Sequence, residues 1–98
     1  MINGNYSEFL DHLYYGDELW IKYKDVVYFI QEWYDEKKPH PWVMECHTLA
    51  TDPLTRLFHA EESSMPECAK KLLMQPLFDR KTLPEIEQDV KWADDYLG

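Results

Sequence analysis

The chain has 98 residues, with 19 acidic and 10 basic side chains giving a formal net charge of -9, and 15% of its residues are aromatic. Such a length suits one domain over residues 1–98, which buries roughly two-thirds of its unfolded surface and leaves little depth for an active site. The acidic field repels phosphate, so nucleic acid is an unfavourable partner and a basic protein a favourable one. No stretch approaches the roughly 20 apolar residues of a membrane span, and the opening MINGNYSEF lacks the charged-then-apolar layout of a signal peptide. A cytoplasmic location is therefore expected, and in that reducing compartment Cys46 and Cys68 are expected to be free thiols.

Tyr6, Phe9, Leu10, Leu13 and Tyr14 recur at helical spacing and predict an amphipathic helix, with Asn5 as its cap, Glu8 completing a capping box and Gly16 ending it in a left-handed conformation. A β-hairpin follows at once. With Lys24 and Asp25 at the turn, Tyr23 faces Val26, Ile21 faces Tyr28 and Leu19 faces Ile30, all on one apolar face. The other face carries Glu18, Trp20 and Lys22 opposite Gln31, Phe29 and Val27, with Trp33 in the same parity. Burial of the first face fixes the register, since a one-residue slip would move all of it into water. Lys-Asp is a poorer turn pair than Asn-Gly, so either Asp25 takes the left-handed position or the loop carries an extra residue.

The run YDEKKPHP reads as a solvated connection, and WVMECHTL as a third strand alternating Trp42, Met44 and Cys46 against Val43, Glu45 and His47. Residues Ala50 to Ser63 show no clean period. Leu54, Leu57 and Phe58 suit a short helical turn there, and a mobile loop fits as well. Ser64-Met65-Pro66-Glu67 and Thr82-Leu83-Pro84-Glu85 both read S/T-x-P-E, the start of a helix with proline in its first turn. The first of these helices buries Met65, Cys68, Ala69, Leu72 and Leu73 and stops near Gln75, before Pro76. The second offers Leu83, Ile86, Val90, Ala93 and Leu97, flanked by Trp92, with Asp94 to Gly98 fraying. The expected fold is α+β: a small three-stranded antiparallel meander with an N-terminal helix and two C-terminal helices packed on it.

Catalytic and metal chemistry find little support in these patterns. Cys46 and His47 are neighbours on a strand, so they point to opposite faces and cannot pair; a thiol enzyme needs a distant base such as His59 or His40. Cys46, His47, His59 and Cys68 are acceptable zinc ligands by type, but their spacing matches no zinc motif. Carboxylate pairs such as Glu61-Glu62, Glu85-Glu87 and Asp94-Asp95 read as solvated faces or helix N-terminal acids. Three glycines cannot build a phosphate-cradling loop. No cofactor is expected.

The segments Gly16-Asp17-Glu18-Leu19-Trp20, Tyr23 with Tyr28-Phe29-Ile30, and Phe78-Asp79-Arg80-Lys81-Thr82-Leu83 leading to Glu87, Asp89 and Trp92 resemble a group of small uncharacterised bacterial proteins of similar length. This chain departs from the group at Lys24-Asp25 and Arg80, where members often carry glycine. The resemblance implies no activity, ligand or site residue.

The function that these features favour is a non-enzymatic, regulatory or protein-interaction module. Its expected contact residues are Trp20, Phe29 and Trp33 on the second hairpin face, extended by Trp42, and its partner is a basic protein or a second copy of the chain. The alternative is a small thiol-dependent hydrolase centred on Cys46 with a distant histidine. A third reading places a small ligand beside the sheet at Ala50 to Ser63.

Overall fold

A computed structural model of the chain describes residues 1–16, 18–50 and 55–93, so Asp17, Leu54, Leu97 and the Asp94-Asp95 pair lie outside the described residues. Helix α1 (Tyr6–Tyr15) begins where Asn5 accepts hydrogen bonds from the backbone N–H groups of Ser7 at 2.8 Å and Glu8 at 3.3 Å. It ends at Gly16, whose φ of 92° is the left-handed conformation that glycine adopts without a Cβ penalty. Strands β1 (Leu19–Tyr23) and β2 (Val26–Tyr34) pair in the expected register, Leu19 with Ile30, Trp20 with Phe29, Ile21 with Tyr28, Lys22 with Val27 and Tyr23 with Val26.

The hairpin turn has two residues, and both sit at positive φ: Lys24 at 50° and Asp25 at 63°. This is the type I′ geometry, whose twist matches that of the strands. A second tight turn repeats it, with Asp79 at φ 54° and Arg80 at φ 64° closed by Phe78 and Lys81 exchanging backbone hydrogen bonds of 3.0 and 3.1 Å. Lys24 Nζ donates to Asp79 Oδ2 at 2.9 Å and ties the two turns together. Glycine at Asp25 or Arg80 would relieve the left-handed strain, which explains in backbone terms why it suits these positions.

The α+β class holds, but the sheet has five strands rather than three. Its order is β4-β3-β2-β1-β5, antiparallel throughout, with β3 spanning Trp42–Thr48, β4 Thr55–Glu62 and β5 Lys91–Trp92. Strand β4 occupies most of the segment that showed no period. A bulge explains its illegibility: Cys46 pairs with Phe58 and His47 with Arg56, leaving Leu57 as the extra residue that breaks the alternation.

The S/T-x-P-E signals do start helices, α2 (Met65–Leu73) and α3 (Leu83–Ile86). Ser64 Oγ accepts from the Glu67 N–H at 3.4 Å, and the Thr82 N–H donates to Glu85 Oε1 at 2.9 Å. Helix α3 does not run on through Val90 and Ala93 as its stripe suggested. The chain turns instead into β5, where it satisfies the otherwise open edge of β1, including a hydrogen bond from Ala93 N–H to the Trp20 carbonyl at 3.0 Å. The Asn3 side chain clamps this strand from outside, accepting from the Trp92 N–H at 2.6 Å and donating to its carbonyl at 3.1 Å.

The core lies between one sheet face and the helices. Ile21, Ile30, Met44 and Cys46 of the sheet meet Phe9 and Leu13 of α1, Cys68 and Leu72 of α2, and Phe78, Leu83 and Ile86 beyond them, all within 1% of complete burial. No helix among the described residues is long and apolar enough to cross a membrane.

Candidate functional site

The reverse face of the sheet carries the residues that the core leaves out. Val27 and Val43 are buried, yet neither belongs to the core cluster, because both point away from the helices. Trp20 and Phe29, paired across β1 and β2, stack with ring centroids 4.1 Å apart and planes at 21°. Such pairs stabilise beyond their area by about 0.5–1.5 kcal/mol. Trp33, opposite Val43, remains 36% exposed. These three aromatics therefore share one surface, as the alternation predicts.

Trp42 does not extend that surface. It pairs with Tyr34 and Glu62 on the helix-facing side, where it packs partly buried against the core. Its even position in β3 puts it in the same set as Met44 and Cys46, so proximity in sequence to His40 was a poor guide to its face.

Beside the aromatics runs a polar network that no sequence pattern announced. Glu45 Oε2 accepts from Arg56 Nη1 at 3.0 Å and from His59 Nδ1 at 2.6 Å, and His59 Nε2 donates to Glu61 Oε2 at 2.8 Å. Lys38 Nζ closes the row on Glu61 at 3.0 Å. His47 Nε2 approaches the other Glu45 oxygen at 3.6 Å, while its Nδ1 is buried with no hydrogen-bond partner. The signal for this network is i, i+2 spacing on adjacent strands, Glu45-His47 on β3 and His59-Glu61 on β4, which stays invisible until β4 is known to be a strand.

Placed between two carboxylates, His59 serves both as a donor, so its imidazolium is favoured and its pKa rises above the ordinary 6.5, first through Glu61 and then Glu45. Burial pushes Glu45 up, but hydrogen bonds from His59 and Arg56 outweigh it and hold the carboxyl below 4.5. Lys38 and then His59 hold Glu61 below the same value. Each anion is thus matched by a cation, an arrangement that fixes the two strands together. Among the described residues no group of three or more His, Cys, Asp or Glu could hold a metal ion.

The thiols are sealed on the opposite side. Cys46 is fully buried, and burial alone pushes its pKa up to about 12. Its strand neighbour Phe58 shares its face, so His59 and His47 both point the other way. Cys68 Sγ donates to the Trp42 carbonyl at 3.4 Å, and its pKa is raised to about 11 by burial and then by Glu62. His40 lies exposed in the connection between β2 and β3. The segment proposed for a small ligand, where described, is strand β4 with His59 and Glu61 engaged in the network.

No family model matches this chain, and neither a curated protein nor a solved structure matches it.

Two outcomes follow from this geometry. Native protein at neutral pH should not react with a thiol reagent such as a disulfide dye, and both cysteines should label only when denaturant unfolds the chain; rapid labelling of Cys46 in the folded state would contradict the sealed geometry. The His59 contribution to stability is complete below pH 6.5 and lost as pH rises through its elevated folded pKa; the Glu45 and Glu61 contributions are complete above 4.5 and lost as pH falls through their lowered values. The His59→Gln variant should therefore show a flatter fall in melting temperature than the native protein as pH rises above about 6.5. An unchanged slope would remove His59 from the account.

Proposed function

We propose that this chain acts without catalysis, as a protein-interaction module whose exposed sheet face meets a second copy of itself. The observation that carries this reading is the separation of charge between the two sides of the sheet. Among the described residues, Lys22, Lys38, Arg56 and Lys91 stand on the open face with Glu18, Asp35, Glu45 and Glu61, four cations to four carboxylates, whereas the whole sequence has 10 bases to 19 acids. Two copies that met by their helical sides would bring carboxylate against carboxylate. Two that met by their sheet faces would bring together near-neutral surfaces carrying Trp20, Phe29 and Trp33.

Strands of 5, 9, 7, 8 and 2 residues, about 4.8 Å apart and rising about 3.3 Å per residue, make a face of roughly 490 Å². Its side-chain relief adds area to that footprint and brings it towards the ~800 Å² per partner of a standard interface. The aromatics supply the residue types that anchor such contacts, with the ion-paired network as a polar rim.

Sedimentation equilibrium tests the reading. The native chain should show a reversible monomer–dimer equilibrium, unchanged or strengthened by added salt because screening weakens the repulsion between two copies of charge -9. Trp33→Glu should weaken it at least about tenfold, a change of roughly 1.4 kcal/mol, while Tyr34→Ala on the other side leaves it unchanged. A native chain monomeric up to about 1 mM, or a Trp33→Glu chain that dimerises as well as the native one, would overturn it.

A further inference from the structure

Two packing demands around Trp92 of β5 place an asparagine and a glycine next to each other. Asn3 is the clamp on β5, accepting from the Trp92 N–H at 2.6 Å and donating to its carbonyl at 3.1 Å, a task that needs an acceptor and a donor on one side chain. Gly4 lies against the indole of the same residue: a Cβ there would stand 2.3 Å from Trp92 Nε1 and 2.5 Å from Cδ1. The indole is itself packed on Phe9, with ring centroids 5.5 Å apart, so a larger residue than glycine would have to displace it. Gly4 is not at positive φ, which leaves this close approach as its reason. We propose that the resulting Asn3-Gly4 pair is a modification site, at which Asn3 loses its side-chain amide by spontaneous deamidation and thereby unlatches β5.

The reaction is an acyl transfer within the chain. The Gly4 backbone nitrogen attacks the Asn3 side-chain carbonyl carbon; a bond from that nitrogen to Cγ forms, the Cγ–Nδ2 bond breaks, and ammonia leaves carrying the proton that the Gly4 nitrogen gave up. Water then opens the cyclic imide at either carbonyl, giving aspartate, or isoaspartate with the backbone rerouted through the side chain. Glycine hinders this attack least, because it has no Cβ beside the attacking nitrogen and turns freely into the geometry required. Asn5, the other asparagine of the chain, precedes the bulky Tyr6, and its side-chain oxygen is held by the Ser7 and Glu8 N–H groups. Since Trp92 engages both polar atoms of the Asn3 side chain, conversion proceeds from molecules in which the clamp has opened locally.

The product cannot restore the latch. A carboxylate only accepts, so it still takes the Trp92 N–H but meets the Trp92 carbonyl with no donor to offer. Isoaspartate also lengthens the backbone by a methylene between Ile2, whose N–H donates to the Val90 carbonyl at 2.9 Å, and Gly4 on the indole, so the two contacts no longer fit together. Strand β5 has 2 residues, and beyond its pairing with Ile21 and Lys22 the Ala93 N–H ties it to the Trp20 carbonyl. Loosening it returns the edge of β1 to an open row of N–H and C=O groups. The change is one-way and accumulates with time, and it does not depend on the sheet-face contact around Trp33.

The experiment is incubation of the full chain in mildly alkaline buffer, native and in urea, followed by intact mass, fragment mapping and amide hydrogen exchange. The native chain is expected to gain the mass of an amide-to-acid conversion at Asn3 and not at Asn5, more slowly than the chain in urea, with isoaspartate labelled by an isoaspartyl methyltransferase. An Asn3→Gln chain should not gain it at this position, since its longer side chain closes a less favourable ring. In the converted protein, and in Asn3→Asp made directly, exchange at the Ile2 and Ala93 amides should rise at least about tenfold, roughly 1.4 kcal/mol of lost protection, while Ile30 and Cys46 keep theirs. The Trp33→Glu chain should convert at the native rate, which separates this inference from the dimer. A native chain that stays unconverted while the chain in urea converts fully, or an Asn3→Asp chain whose Ile2 and Ala93 amides exchange as in the native protein, would each overturn it.

Discussion

A β-strand turns successive side chains to opposite sides, so the pairing of Ile21 with Tyr28 and of Leu19 with Ile30 commits Trp20 and Phe29 to the reverse surface. Every larger feature depends on that commitment. Burying Leu19, Ile21, Tyr28 and Ile30 against α1 and α2 contributes about 1.5 to 3 kcal/mol per side chain before entropy is counted, and no other register collects it. The helices then occupy one side only, and the aromatic and ion-paired surface is left on the other because parity allows it nowhere else.

Charge follows the same division. Among the described residues, the open face balances its cations and anions within the row Arg56, Glu45, His59, Glu61 and Lys38. An exposed ion pair alone is worth little, but this row shares His59 between two carboxylates, so ordering one side chain serves two contacts. Its effect is to staple edge strand β4 to β3 where the bulge at Leu57 loosens the ladder, and to keep the open face free of net repulsion.

The local signals were legible where they rest on contacts near in sequence. The Asn5 cap, the left-handed Gly16, the S/T-x-P-E starts of α2 and α3 and the β1–β2 register all follow from residues within a few positions of one another or from simple alternation. Long-range pairing was not legible. Strand β4 hides its alternation behind a one-residue bulge, and β5 carries a stripe equally suited to a helix until the free edge of β1 offers hydrogen bonds. The polar network was lost with β4, since His59 and Glu61 acquire a common face only once that segment is extended. Trp42 was assigned by nearness along the chain rather than by its parity with Met44.

Urea unfolding of two alanine variants, at concentrations low enough to keep the chain monomeric, tests the two-sided sheet most directly. Ile30 is fully buried and Trp33, three residues on, is 36% exposed. Ile30→Ala should lower stability by about 2–5 kcal/mol, and Trp33→Ala by less than about 1 kcal/mol despite deleting the larger side chain. A larger loss at Trp33 than at Ile30 would mean that the interior lies on the other side of the sheet.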